Sequence, residues 1–399
     1  MMHVFGSTAV AVGTVLAAWM AGMALGAWLI GKQADRHGNC LRLYAWLEIG
    51  IAVSALAAHF LLHQLGLAHR LIYDWVGASP FLFAAVRFLL AFVLIMLPTA
   101  LMGATLPVLT RFLVRRDALV GINISSLYAA NTFGAVAGVM LTGFFLIGRY
   151  GIHVPVYLAA AGNALVGFLA WVWSSRFETP PGSPEKSPVS GAVSERPGAA
   201  TRRLILFGLG LSGLTSFAYE IYWTRSLVFI LGNSTYALST MLVAFLTGIA
   251  LGGYLVRILI RRTTDRAAAF GWLQVALGVF SALALPLLFS VSDPQSLNRL
   301  LIGTSDQAIP LILSGFGVAF LVMLVPATLI GATFPLAGQV AAGEPDKTGT
   351  VVGRVYAVNT LGNVAGALLP GLILLNWLGI QKGIVAMAVI NVSLGFLVL

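Results

Sequence analysis

The chain is 399 residues long, 59% hydrophobic and only 9% charged. A soluble domain carries about one quarter charged residues, so a water-facing surface over most of this chain is excluded and lipid must cover it. The net charge of +10 does not point to nucleic acid, because the basic residues lie in short loops between apolar runs, where they set membrane orientation.

A membrane-crossing helix needs roughly 20 mostly apolar residues. In chain order the segments that qualify are 9–30, 43–63, 84–108, 121–147, 153–174, 204–224, 235–260, 268–290, 309–335, 351–376 and 381–399. No basic n-region and cleavage site precede the first of them, so a removable signal peptide is not expected. The single cysteine, Cys40, excludes an internal disulfide framework and has no metal-ligand spacing around it. Between the fifth and sixth segments, residues 175–203 are rich in Pro, Ser, Gly and charge, which predicts a disordered linker. The expected organisation is a first membrane unit at 1–174, this linker, and a second unit at 204–399.

Basic residues divide unevenly between the two sets of loops. One set, with the linker, holds 17 of the 23, among them Lys32, Arg36, Arg111, Arg202, Arg261 and Arg354; Arg70, Arg87, Arg149, Arg225, Arg299 and Lys382 fall on the other side. The positive-inside rule then places the linker in the cytoplasm and the N-terminus outside. A multi-pass protein of the cytoplasmic (inner) membrane is expected.

The two units also match each other. At an offset of 226, Gly22, Ala24, Leu25 and Gly26 pair with Gly248, Ala250, Leu251 and Gly252, and Trp46-Leu47-Glu48 pairs with Trp272-Leu273-Gln274. At an offset of 228, Gly103-Ala104-Thr105-Leu106-Pro107 pairs with Gly331-Ala332-Thr333-Phe334-Pro335, and Tyr128 to Gly134 pairs with Tyr356 to Gly362. Matches of this extent mark an internal duplication. The second copy has six segments and the first has five, the absent one being the partner of 204–224. An even-numbered unit keeps both copies the same way up. The expected fold is all-α, with two parallel six-helix repeats, the first lacking its first helix.

Several motifs resemble a known family. The loop Gly31-Lys32-Gln33-Ala34-Asp35-Arg36-His37-Gly38 is similar to the G-x-x-x-D-R-x-G signature of major facilitator proteins, and the second half keeps only Asp265-Arg266 of it. The run Tyr219-Glu220-Ile221-Tyr222-Trp223, the Gly-Ala-Thr-x-Pro pair and the Tyr-Ala-x-Asn-Thr-x-Gly pair resemble the membrane part of fused major-facilitator/spermidine-synthase-like proteins. That resemblance implies a major-facilitator-like module associated with an aminopropyltransferase-like domain and with a small cation such as a polyamine. The nucleotide fold of such an enzyme needs a strand, a glycine loop and a downstream acid, and no stretch of this sequence supplies them. No catalytic residue, metal or cofactor is assigned. The expected partners are the lipid bilayer, a polyamine or other small cation, and an aminopropyltransferase-like domain.

Candidate functional residues follow from depth and symmetry. Asn131 and Asn359 lie about 15 Å into their spans, near the midplane, where an amide must be satisfied by a neighbouring helix or a wet cavity. They are candidates for interhelical hydrogen bonding or for substrate contact, with Tyr128 and Tyr356 one turn earlier on the same face. Glu48 and Glu220 are the acids within spans, and intramembrane acids are candidate cation or proton sites. Glu220 is expected near the outer face, in an interfacial aromatic belt of Tyr219, Tyr222 and Trp223, with Arg225 within reach as partner. An acid among aromatics suits a polyamine by charge and cation–π contact. In the loop signature the resemblance implies that Asp35 and Arg36 control rocking through charge contacts with helix ends; a solvated basic turn is the alternative. Gly22/Gly26 and Gly248/Gly252 are expected to bring helices close, and Pro98, Pro107, Pro326 and Pro335 to kink their spans.

Overall fold

The computed structural model describes residues 9–67, 80–114, 120–177, 198–232, 234–292, 308–341 and 347–399. Among these residues there are eleven long helices and no strand. They are α1 (Ala9–Arg36), α2 (Cys40–Leu67), α3 (Pro80–Val114), α4 (Val120–Met140), α5 (His153–Ser174), α6 (Ala199–Leu231), α7 (Thr235–Arg262), α8 (Arg266–Ser292), α9 (Ala308–Ala341), α10 (Thr348–Leu369) and α11 (Leu375–Val398). Ten are long and apolar enough to cross a membrane; α10 is the exception. It is diluted by Thr348, Gly349, Thr350, Gly353, Arg354, Asn359, Thr360 and Asn363, and it packs between α1 and α6. In hydrocarbon every backbone group must be bonded within the protein, which makes helices of these apolar runs.

Local signals fix where the helices start and stop. Asn39 Oδ1 accepts from the Arg42 amide (3.0 Å), Ser234 Oγ from Ala237 (3.1 Å) and Asp265 Oδ1 from Ala268 (2.9 Å), so α2, α7 and α8 each have a side-chain N-cap. Left-handed glycines interrupt the chain at Gly151 (φ 71°), Gly232 (φ 81°) and Gly379 (φ 67°). α4 continues through a π-helical turn, Leu141–Leu146, to Tyr150, and α10 continues through another, Pro370–Leu374. The break after α10 falls at Gly379, so Leu375 to Leu378 prolong it.

Both ends of the predicted linker, 175–203, fall on described helical turns. Ser175–Phe177 form a 3-10 turn and α6 begins at Ala199. The remainder, 178–197, lies outside the described residues.

Helices pack in matched sets. α1 lies on α3 and α10, and α7 lies on α9 and α4; α2 lies on α3 and α5, and α8 lies on α9 and α11. Gly22 meets Thr99 and Met96, Gly26 meets the backbone of Ala100, Gly248 meets Ala327 and Leu324, and Gly252 meets the backbone of Thr328. A side chain at any of these would separate the helices, so the glycines serve close packing. Pro98 and Pro107 lie inside α3, and Pro326 and Pro335 inside α9. The outward surface carries large apolar side chains such as Trp28, Trp46, Phe145, Phe168, Trp272 and Trp377, as a lipid-facing shell requires.

Candidate functional site

The most connected polar site joins the end of α1 to the start of α10. Gly31 and Gly353 let the two helices touch at the backbone: a Cβ on Gly31 would stand 2.6 Å from the Gly349 carbonyl oxygen and 3.1 Å from Gly353 Cα. One turn further along α1, Asp35 faces the first-turn amides of α10, which have no acceptor within their own helix. Its Oδ1 accepts from the Gly349 N–H (2.8 Å) and its Oδ2 from the Thr350 N–H (2.7 Å) and the Thr350 hydroxyl (2.6 Å). Arg111 of α3 holds the same carboxylate, with Nε 3.4 Å from Oδ1. Asp35 therefore caps a helix 314 residues away, adding a negative charge where the helix dipole favours one. Arg36 is exposed. In the second half Asp265 caps its own helix instead.

Tyr128 and Tyr356 are brought together, through a residue the sequence reading passed over. Phe334 of α9 is buried between them, with its ring centroid 5.0 Å from that of Tyr128 and 5.7 Å from that of Tyr356. Tyr128 also lies against the backbone of Gly253, and the Tyr356 hydroxyl reaches Met23 Sδ at 3.6 Å. Alignment was the available signal, since Phe334 belongs to the repeated Gly-Ala-Thr-x-Pro motif. Asn359 and Asn131 turn away from this cluster and differ from each other. Asn359 is half-buried against Gly213 of α6, where a Cβ would stand 3.2 Å from its Oδ1. Asn131 is exposed, and its side chain makes no hydrogen bond to the described residues.

The acids occupy different surroundings. Glu48 is buried on α2, with Gly167 of α5 passing over its stem. Glu220 is half-buried on α6 and has no hydrogen-bond or ion-pair partner among the described residues. Arg225 does not pair with it, because five residues on a 3.6-residue helix put the two side chains about 140° apart. Nor do its neighbours form an interfacial belt. Tyr219, Tyr222 and Trp223 are 0%, 0% and 1% exposed, packed with Leu227, Phe245 and Met323 in the interior. Trp223 stacks on Tyr219 at 5.1 Å and meets Phe245 edge-on.

A buried polar chain was missed by sequence reasoning. The Tyr219 hydroxyl donates to Asn391 Oδ1 (3.2 Å), Asn391 Nδ2 donates to Gln274 Oε1 (2.7 Å), and Gln274 Nε2 donates to Ser212 Oγ (3.1 Å). All four side chains are fully buried. It ties α6, α8 and α11 together through three buried side-chain hydrogen bonds, and bonds of this kind are stronger in a dry interior than in water. The alignment of Glu48 with Gln274 pointed to it, and at the offset of 228 Asn163 likewise pairs with Asn391.

Comparison with known proteins adds one relative. A polyamine aminopropyltransferase from Corynebacterium efficiens is 26% identical over 196 residues, covering 48% of this chain and 34% of its own length. The chain thus spans about a third of the curated relative it matches. No family model matches the chain.

Proposed function

We propose that this chain is the membrane module of a spermidine-synthase-like protein, and that it moves or delivers a small cationic metabolite such as a polyamine. On this reading it has two parallel repeats on the major facilitator plan, at 1–174 and 204–399. Residues 175–203 join them on the cytoplasmic side of the inner membrane. The paired contacts α1–α3 and α7–α9, the crossed contacts α1–α10 and α4–α7, the two π-helical turns and the left-handed glycines at Gly151 and Gly379 support the duplication.

The observation that carries the transport reading is the grip of Asp35 on the start of α10. It is a charge-dependent contact between the two halves at one membrane face, and a rocking transporter needs such a contact to make and break. Glu220 supports a cationic cargo, as an intramembrane acid with no ion-pair partner among the described residues. The relative's name supports polyamine chemistry. Tyr128 and Tyr356, at the junction of the halves, with Asn131, Asn359, Glu48 and Trp223, complete the proposed path, and Asp35 with Arg36 forms its gate.

A second reading, a non-transporting anchor for an aminopropyltransferase-like domain, is favoured by the relative's being named as an enzyme and extending well beyond the matched region. Uptake of labelled putrescine or spermidine into proteoliposomes separates the two. Transport predicts uptake above empty vesicles that falls in Glu220→Gln and in Asn131→Ala/Asn359→Ala. Uptake equal to that of empty vesicles would leave the anchor.

A further inference from the structure

Two features of the first half are incomplete in the same way. In the second half, α6 seats on α10 through glycine. A Cβ on Gly362 would collide with the Gly210 backbone, and one on Gly366 would stand 3.0 Å from both the Leu214 carbonyl carbon and Phe217 Cβ. The sequence equivalents on α4, Gly134 and Gly138, have nothing within 4 Å of such a Cβ among the described residues. Asn131, equivalent to Asn359, is exposed on the same helix, as are Ala130, Gly134 and Gly138. Lipid is a poor cover for this face, because an unpaired amide in hydrocarbon costs several kcal/mol and glycines leave a groove that acyl chains fill badly.

The second feature is polar and independent of the first. Gln274 and Asn391 each find a partner on α6, namely Ser212 and Tyr219. Their equivalents, Glu48 and Asn163, have no hydrogen-bond partner from another helix among the described residues. Both the groove and the unmatched polar pair therefore lack what α6 provides in the second half.

We propose that the face of α4 bearing Asn131, Gly134 and Gly138, continued by Glu48 and Asn163, is the docking groove of one further membrane-spanning helix. This rests on the duplication proposed above. The occupant has the chemistry of α6: a small residue at the crossing point to meet Gly134, and a hydroxyl donor about half a turn to one side to meet Glu48. A second copy of the chain does not fit, because its own α6 is already seated on α10 and its Ser212, Gly213 and Tyr219 are buried there.

The probe is a synthetic peptide of residues 199–231 carrying Gly210→Cys, reconstituted in lipid with the full chain in a Cys40→Ala background. Gly134→Cys on α4 is expected to cross-link to it at least tenfold more than Phe168→Cys on the exposed side of α5. The peptide is also expected to raise the chain's Tm. Gly134→Leu/Gly138→Leu should abolish that rise while leaving the Tm without peptide unchanged, since nothing opposes a side chain at either position. Equal cross-linking at 134 and 168 would overturn the proposal. So would dominant homodimers through Gly134→Cys, which would assign the face to a second copy. The readout is contact and not uptake, so its failure is distinguishable from failure of the transport reading.

Discussion

Removing the carboxylate of Asp35 should release the start of α10 and deprive the buried Arg111 of this ion pair. The wild-type side chain accepts three hydrogen bonds, from Gly349, Thr350 and the Thr350 hydroxyl, with Arg111 at 3.4 Å. Hydrogen bonds to a charged group are worth about 1.5–3 kcal/mol each, and the helix-end charge adds about 0.3–1 kcal/mol. The full sum is not lost, because the freed amides at a helix terminus regain water. Asp35→Asn keeps one acceptor oxygen and the side-chain volume, and should cost about 1.5 kcal/mol; Asp35→Ala should cost about 3 kcal/mol. Since every ~1.4 kcal/mol is tenfold in an equilibrium, local opening of the first turn of α10 should rise about tenfold and about a hundredfold respectively. Hydrogen exchange of peptides covering residues 347–355, measured against a reference in α8, reads this directly. Unchanged protection over 347–355 in Asp35→Ala would refute the assignment of Asp35 as the cap of α10.

Other substitutions test the packing. Gly362→Ala should lower stability by about 1–3 kcal/mol, read as a drop in Tm, by overpacking against the Gly210 backbone. Gly134→Ala, at the equivalent place with nothing within 4 Å, should be neutral or stabilising by up to about 1 kcal/mol, as for any helix-interior glycine. Asn391→Leu should cost about 2–4 kcal/mol in the same assay, because it strands the Tyr219 hydroxyl and the Gln274 oxygen in a dry interior. Asn163→Leu should cost much less than Asn391→Leu, and an equal cost would show that Asn163 has a partner of the same kind.

Hydrophobicity and charge were enough to read the helices, because in lipid the backbone has no other way to satisfy itself. The segment hardest to read by apolarity was α10, whose polar and small residues face protein on both sides, so burial and not lipid decides its composition. Positions near Tyr219, Tyr222 and Trp223 were misread for the opposite reason. Amphipathic aromatics serve equally at a membrane surface and in a core, and sequence depth alone does not separate the two. Asp35 was legible as a loop signature, but its partners Gly349 and Thr350 offer backbone amides, which leave no mark in residue type. The cluster of Tyr128, Phe334 and Tyr356 depends on a helix crossing that periodicity does not encode.

One small contact near Asp35 reaches further than its size suggests. Asn39, four residues past Asp35, caps α2 with its oxygen while its amide nitrogen holds the Ser174 carbonyl at 2.8 Å. Ser174 is the last residue of α5, directly ahead of the Ser175–Phe177 turn. One side chain thus fastens the start of α2 to the end of α5, four residues from the carboxylate that fastens α1 to α10, so both junctions hang on a single short stretch of chain.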